Sequence, residues 1–237
     1  VWKQIAERFA KYDEHLIFES MNEESDGTYD GDPNKEYYAN LNQYNQIFVD
    51  TVRGTGEKNT HRWLLVPGWN TNIEYTIGDY GFEMPTDEKC SAGESRMMVS
   101  VHYYDPWDYC GIEDLKTILW GEYGDNLIEV NGFPKMNKAK WGDESYLDDL
   151  FSRMQEKFVK NDIPVIIGEY GCIDKSSAYA DFAGQIQGNR AYWDGYVAGK
   201  AASMGMIPVY WDNGFNGVYG FGLFDRNTYE QLSLIHI

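Results

Sequence analysis

The chain has 237 residues, 43% hydrophobic and 24% charged, so it holds ample material for a buried core and is neither a disordered segment nor a small disulfide-held scaffold. Lys and Arg number 20 against 38 Asp and Glu, and the resulting net charge of −18 repels nucleic-acid phosphates and anionic lipid surfaces, which removes nucleic acid and membrane from the expected partners. Aromatics make up 16% of the chain, a surplus of flat rings suited to a flat-faced, neutral ligand such as a sugar, and no apolar run approaches the roughly 20 residues of a membrane span.

In chain order, Trp2–Tyr12 has the apolar spacing of a helix and runs into Leu16–Phe18, a short apolar strand. Glu36–Val52 predicts a second helix, Trp63–Val66 a second strand and Met97–Tyr103 a third. The clearest helix is Tyr146–Lys160, where Leu147, Leu150, Phe151, Met154 and Phe158 recur at three- and four-residue steps. Pro164–Ile167 reads as a fourth strand, Tyr192–Met204 as a helix and Ile207–Trp211 as a fifth strand. Three long loops are expected, Ser20–Lys35, Asn70–Arg96 and Asp105–Asp143.

Short, continuously apolar strands alternating with helices indicate an α/β protein with a parallel sheet, because parallel strands need crossover connections that cover both faces. Glu19–Glu23, His102–Tyr104, Gly168–Tyr170 and Trp211–Asn213 place polar groups after successive strands, the way a (β/α)8 barrel assembles one active site. A dinucleotide fold is disfavoured: no G-x-G-x-x-G follows a strand, and Gly217–Gly222 has the wrong spacing. Five strands cannot close an eight-stranded barrel, and Val1 opens inside an amphipathic helix with no capping residue. The expectation is therefore a partial (β/α)8 barrel. Residues 1–231 are read as the C-terminal part of a single catalytic domain whose first three strands lie upstream, and residues 232–237 as a translated sequencing-adapter tail in which His236 has no role.

Glu23 and Glu169 are the central chemical candidates. An ionised carboxylate at the end of a buried strand needs a partner or a task. Two carboxyls facing one cleft are the equipment of glycoside hydrolysis, one protonated to serve the leaving oxygen and the other ionised. An ion pair with Lys or Arg and a pair of metal-ligating carboxylates are the structural alternatives.

Leu16-Ile-Phe-Glu-Ser-Met-Asn-Glu23 resembles the fourth-strand motif of glycoside hydrolase family 5, the cellulase family, and Ile166-Ile-Gly-Glu-Tyr-Gly171 resembles its seventh-strand motif. His102-Tyr103-Tyr104 is similar to the sixth-strand His-x-Tyr, and Trp211 to the eighth-strand Trp. Trp211–Gly214 together with Phe221–Arg226 looks like subfamily 4, whose members act on β-1,4-glucans and xyloglucans. The resemblance implies that the five strands are four through eight of the barrel. It implies a retaining endo-β-1,4-glucanase with Glu23 as acid/base, Glu169 as nucleophile, and Asn22 on the 2-hydroxyl beside the scissile bond. His102 and Tyr104 would position substrate and nucleophile, and Trp211 would form the sugar-stacking floor. It further implies a secreted, monomeric parent that takes a β-glucan polysaccharide or oligosaccharide and uses neither metal nor organic cofactor. Its rival is a catalytically silent glucan-binding fragment; xyloglucan, xylan and mannan stand as alternative substrates.

A general acid at neutral pH needs a raised pKa, which burial and a nearby anion would give Glu23, while hydrogen bonds from groups such as Tyr104 would keep Glu169 ionised. Trp69, in Trp69-Asn-Thr-Asn72, is a candidate sugar platform, with Trp107 and Trp120 ranked below it because single tryptophans more often pack than bind. Asp30–Glu36 imitates the start of a calcium loop, but Lys35 replaces the required Gly and Leu41 the bidentate Glu, which favours a solvated acidic loop. His15 and His61 read as structural, and no metal-ligand spacing is present. Cys90, Cys110 and Cys172 are odd in number, so one at least is unpaired; a Cys90–Cys110 bridge and three idle thiols are the two readings. Gly199-Lys200 lacks the rest of a phosphate loop and no G-x-S-x-G elbow exists, so phosphoryl transfer and serine-type ester hydrolysis have no support.

Overall fold

The computed structural model describes residues 1–25, 27 and 32–232. The expected calcium-loop mimic begins at Asp30 and Gly31, which lie outside the described residues, as do residues 233–237 of the tail. Five strands form one sheet in the order β1-β2-β3-β4-β5: β1 (Phe18–Glu19), β2 (Leu64–Asn72), β3 (Met97–Tyr103), β4 (Val165–Tyr170) and β5 (Ile207–Tyr210). The first two pairings are parallel, Phe18 opposite Leu64 and Leu64 opposite Met97, and the second shifts register between Pro67 and Asn72. A sheet wound in simple sequence order has no topological switch point, which separates it from the doubly wound dinucleotide folds and matches a stretch of barrel.

The chain divides into two compact units, residues 1–102 with 154–166, and 103–153 with 167 onward. In the first, α1 (Trp2–Phe9) and α2 (Lys35–Gly54) cover the strands, and Ala6, Phe48, Val49 and Val52 pack with Phe18, Leu64, Val66 and Met97. The side chain of Asn34 starts α2 by accepting from the N–H of Glu36 at 3.0 Å. β1 is shorter than the expected Leu16–Phe18 run and begins two residues later, because the Leu16 carbonyl is taken by the buried Arg62 guanidinium at 2.5 Å rather than by a ladder. Arg62 is shielded from solvent: its Nε donates to Asn59 Oδ1 and its other donors reach the carbonyls of Phe9, Tyr12 and Asp13, pinning the loop that delivers β1. Arg53 makes a fully buried bidentate pair with Asp87, Nε to Oδ1 at 2.8 Å and Nη2 to Oδ2 at 2.9 Å, which ties the long β2–β3 connection to α2. β2 runs six residues beyond its expected end, as far as Asn72, and a short helix α3 (Ile73–Ile77) follows it. Gly68 is required within that extension, since a Cβ there would lie 1.9 Å from Thr76 Oγ1.

In the second unit α4 (Trp107–Cys110), α5 (Gly121–Asn131) and α7 (Ala183–Ser203) surround the strand ends. The segment expected as a structureless loop, Asp105–Asp143, contains both α4 and α5; Gly121 and Gly124 weaken the helical signal of α5 while Leu127 and Ile128 bury its face. Gly132 ends α5 in the left-handed conformation, φ 72°. Asn189 of α7 clamps Trp120 by accepting from its N–H at 2.7 Å and donating to its carbonyl at 2.8 Å. Tyr103 is sandwiched between Phe151 and Trp193. α6 (Glu144–Lys157) begins on Asp143, whose carboxylate accepts from the Ser145 hydroxyl at 2.7 Å; that bond leads the contacts holding its pKa low. Among the described residues no helix is long and apolar enough to cross a membrane.

Candidate active site

In the first unit the site is built where β1 and β3 end. Ser20 is fixed from three directions: its N–H donates to Leu65 O at 3.0 Å, its carbonyl accepts from Trp2 Nε1 at 2.9 Å, and its hydroxyl donates to Asn45 Oδ1 at 2.8 Å. Asn45 in turn donates to Pro67 O, so β1 and β2 leave the sheet locked to α2. Glu23 follows four residues after β1 and is not on the strand itself, a correction to the expectation that it terminates one. Its side chain is 40% exposed, and its Oε1 lies 2.7 Å from Nδ1 of His102, whose ring is almost fully buried. An ionised carboxylate only accepts, so Nδ1–H donates in that state; when the acid carries the proton the roles exchange. Such a contact lets one glutamate hold or release a proton without losing its partner.

Asn22 stands exposed beside Glu23. The Trp69 ring is largely buried at 8% exposure and stacks on Tyr37 at 5.4 Å with 9° between planes. Glu19, which carried no expected role, accepts from Ser100 Oγ at 2.6 Å. Its signal in the sequence was its place on the strand four residues before Glu23. His15 is exposed against Asp13 and His61 lies beside Thr60.

In the second unit Tyr104 follows β3 and donates its hydroxyl to Glu169 Oε2 at 3.0 Å. Glu169 sits near the end of β4, half-buried. Two rings meet Tyr104 edge-on at 6.0 Å each, the half-exposed Trp107 and Phe221. Trp211, directly after β5, donates its N–H to Tyr170 O at 2.9 Å and leaves 44% of its surface open. The Asp212 carboxylate gathers the following loop, accepting from Gly214 N–H at 2.7 Å and from Arg226 Nη2 at 3.4 Å; Asn213 Oδ1 accepts from Phe215 and Phe221 N–H. Trp120 is completely buried and is a packing residue. Phe221 was not singled out from the sequence as a site residue, because a Phe in a Gly-rich loop carries no periodicity that announces a neighbour.

All three cysteines are free, Cys110 and Cys172 being buried with their thiols pushed well up by burial; this corrects the Cys90–Cys110 alternative. Asp194 is completely buried among Cys172, Arg190, Tyr170 and Tyr210, and burial raises its pKa to about 7 against the lowering influence of Arg190. It is 4.0 Å from Arg190 Nε, and its Oδ2 makes no hydrogen bond among the described residues.

A parallel sheet wound in sequence order, with polar residues following its strands, is the arrangement of part of a (β/α)8 barrel, a fold that carbohydrate hydrolases use. The profile of "Cellulase (glycosyl hydrolase family 5)" matches residues 1–217, and the chain belongs to that family. It is 49% identical to Endoglucanase A of Paenibacillus barcinonensis over all of this chain and 57% of that protein. It is 33% identical to a xyloglucan-specific endo-beta-1,4-glucanase of Bacteroides ovatus, over 96% of this chain and 42% of that one. Among solved structures, a family 5 xyloglucanase from Paenibacillus pabuli in complex with ligand superposes with a TM-score of 0.87 at 49% identity, covering 97% of this chain and 62% of that one. A GH5-4 broad specificity endoglucanase from Bacteroides salanitronis gives 0.81 at 39% identity, over 98% and 57%. The chain spans about half the length of the curated relatives it matches.

Proposed function

We propose that the protein hydrolyses internal β-1,4-glucosidic bonds of β-glucans with retention, Glu23 acting as general acid/base and Glu169 as nucleophile. The observation that carries this is the pairing of each glutamate with a group at the end of β3: His102 with Glu23, and Tyr104 with Glu169. The two bonds do different work. Tyr104 donates to Glu169 and favours its ionised form, as a nucleophile needs, whereas His102 serves Glu23 in either protonation state.

In the first step the Glu169 carboxylate attacks C1 of the sugar while Glu23 gives its proton to the departing glycosidic oxygen. In the second, Glu23 takes a proton from water, which attacks C1 and releases Glu169. This course requires roughly 5–5.5 Å between the two carboxyls. Asn22 is assigned to the 2-hydroxyl and Trp211 to stacking on a glucosyl ring. Trp69, largely buried and stacked on Tyr37, offers a sugar little open ring face. We further propose that the five strands are four through eight of the family barrel, because the motifs at β1, β3, β4 and β5 fall in the order of its fourth, sixth, seventh and eighth strands. Secretion of the parent protein is part of the same proposal and rests on the family alone. Xyloglucan is the second substrate reading, favoured by the 49% identity to the Paenibacillus pabuli xyloglucanase.

The test is viscometry and reducing-sugar release on carboxymethylcellulose, barley β-glucan and xyloglucan, with Glu169→Gln and Glu23→Gln. Each variant is expected to lose several orders of magnitude in kcat while keeping the fold. Near-normal turnover in either removes the assignment.

A further inference from the structure

Arg190, in the middle of α7, is buried, yet its guanidinium is not spent on the nearest acid. Asp194, one turn on, comes no closer than 4.0 Å. The donors go to backbone instead: Nε to Cys172 O at 2.8 Å and Nη2 to Phe221 O at 2.9 Å, with Tyr210 Oη also 2.9 Å from Nη2. The Tyr210 hydroxyl donates to the same Phe221 carbonyl at 2.8 Å. Burying a guanidinium is costly unless its geometry is good, so the two backbone segments it joins indicate what it is for.

One segment is the chain three residues after Glu169; the other carries Phe221. The Phe221 ring lies against Gly171, where an added Cβ would come within 3.2 Å of both Phe221 and Tyr210, and it meets Tyr104 edge-on at 6.0 Å. Tyr104 is the donor to Glu169. We propose that Arg190 is a positioning residue for the nucleophile: by clamping the Cys172 and Phe221 carbonyls it holds the Phe221 ring against Tyr104, and so keeps the Tyr104 hydroxyl on Glu169. The role rests on Glu169 being the nucleophile.

The experiment measures inactivation by 2-deoxy-2-fluoro-β-cellobiosyl fluoride. Glu169 attacks C1, the C1–fluorine bond breaks and fluoride leaves with the electron pair; no proton is transferred, so the rate reports the nucleophile without Glu23. Wild-type protein is expected to gain one glycosyl group on Glu169 by peptide mass spectrometry. Tyr104→Phe loses a hydrogen bond to a charged acceptor and should label roughly 10- to 100-fold more slowly. Arg190→Met should be slower by about tenfold, but in the Tyr104→Phe background should add no more than about twofold, because it acts through the group already removed. Phe221→Leu leaves the clamp's acceptors in place and should reproduce the Arg190→Met rate; it decides the matter if Arg190→Met does not fold by circular dichroism. Labelling of another residue, or none, overturns the assignment of Glu169 and this role with it. Labelling of Glu169 at the wild-type rate in Arg190→Met, or in Phe221→Leu where the former does not fold, overturns the role of Arg190 alone. So does a full additional tenfold loss in the double variant.

Discussion

Replacing Asp194 by Asn should abolish a pH dependence of stability that the buried cluster imposes. The carboxyl is completely buried, and desolvation lifts its pKa to about 7 even with Arg190 4.0 Å away. In the unfolded chain the same group titrates near 3.9. Below about pH 4 both states hold the proton and the group has no linkage effect. Between about pH 4 and 7 the folded state retains a proton that the unfolded state has released, so stability falls as pH rises, by about 1.4 kcal/mol per pH unit. Above the folded pKa the loss levels off at on the order of 4 kcal/mol. Asparagine keeps the shape and removes the titration. Attraction to Arg190 acts only on the ionised carboxyl, so it is already contained in the folded pKa and adds no separate slope. Urea unfolding followed by tryptophan fluorescence at half-unit steps from pH 4.5 to 8 supplies the profiles. Every other titrating group is common to both proteins, so their difference isolates Asp194. The variant should gain on wild type steadily up to about pH 7 and then run parallel. Profiles that are parallel throughout, within about 0.5 kcal/mol, would refute the reasoning.

Asp87→Asn breaks the buried pair with Arg53 and leaves a guanidinium without its counter-charge, so a destabilisation of about 3–5 kcal/mol is expected in urea unfolding at neutral pH; a change below 1 kcal/mol would show that the carbonyls of Asn59 and Arg62 suffice to hold Arg53. Trp211→Ala, at a half-open ring, should raise KM on β-glucan about tenfold with little change in Tm, whereas Trp69→Ala, at a buried ring stacked on Tyr37, should lower Tm by several degrees. Equal effects of the two substitutions on Tm would contradict the difference in their burial.

The sequence by itself determined the class of fold and pointed to the two glutamates as candidates. Parallel strands buried on both faces must be short, largely apolar runs, and Met97–Val101, broken only by the small Ser100, and Val165–Ile167 stand out for that reason. Polar residues soon after those runs mark a strand end in the letters alone, which is why His102, Tyr104 and Glu169 were legible as candidates. Tertiary structure decided what depends on partners distant in sequence. Leu16 lost its place in β1 to Arg62, 46 residues away, and α5 formed inside an expected loop because Leu127 found a core with Ile186 despite two glycines. Only folding could show that Trp120 is sealed while Trp107 is half-open, since burial of a ring is settled by what packs on it and not by its neighbours in the chain. The line from Arg190 through Phe221 and Tyr104 to Glu169 joins four residues spread over 118 positions through backbone carbonyls and ring edges. Hydrogen bonds to main-chain oxygens carry no side-chain signature, so that connection exists only in three dimensions.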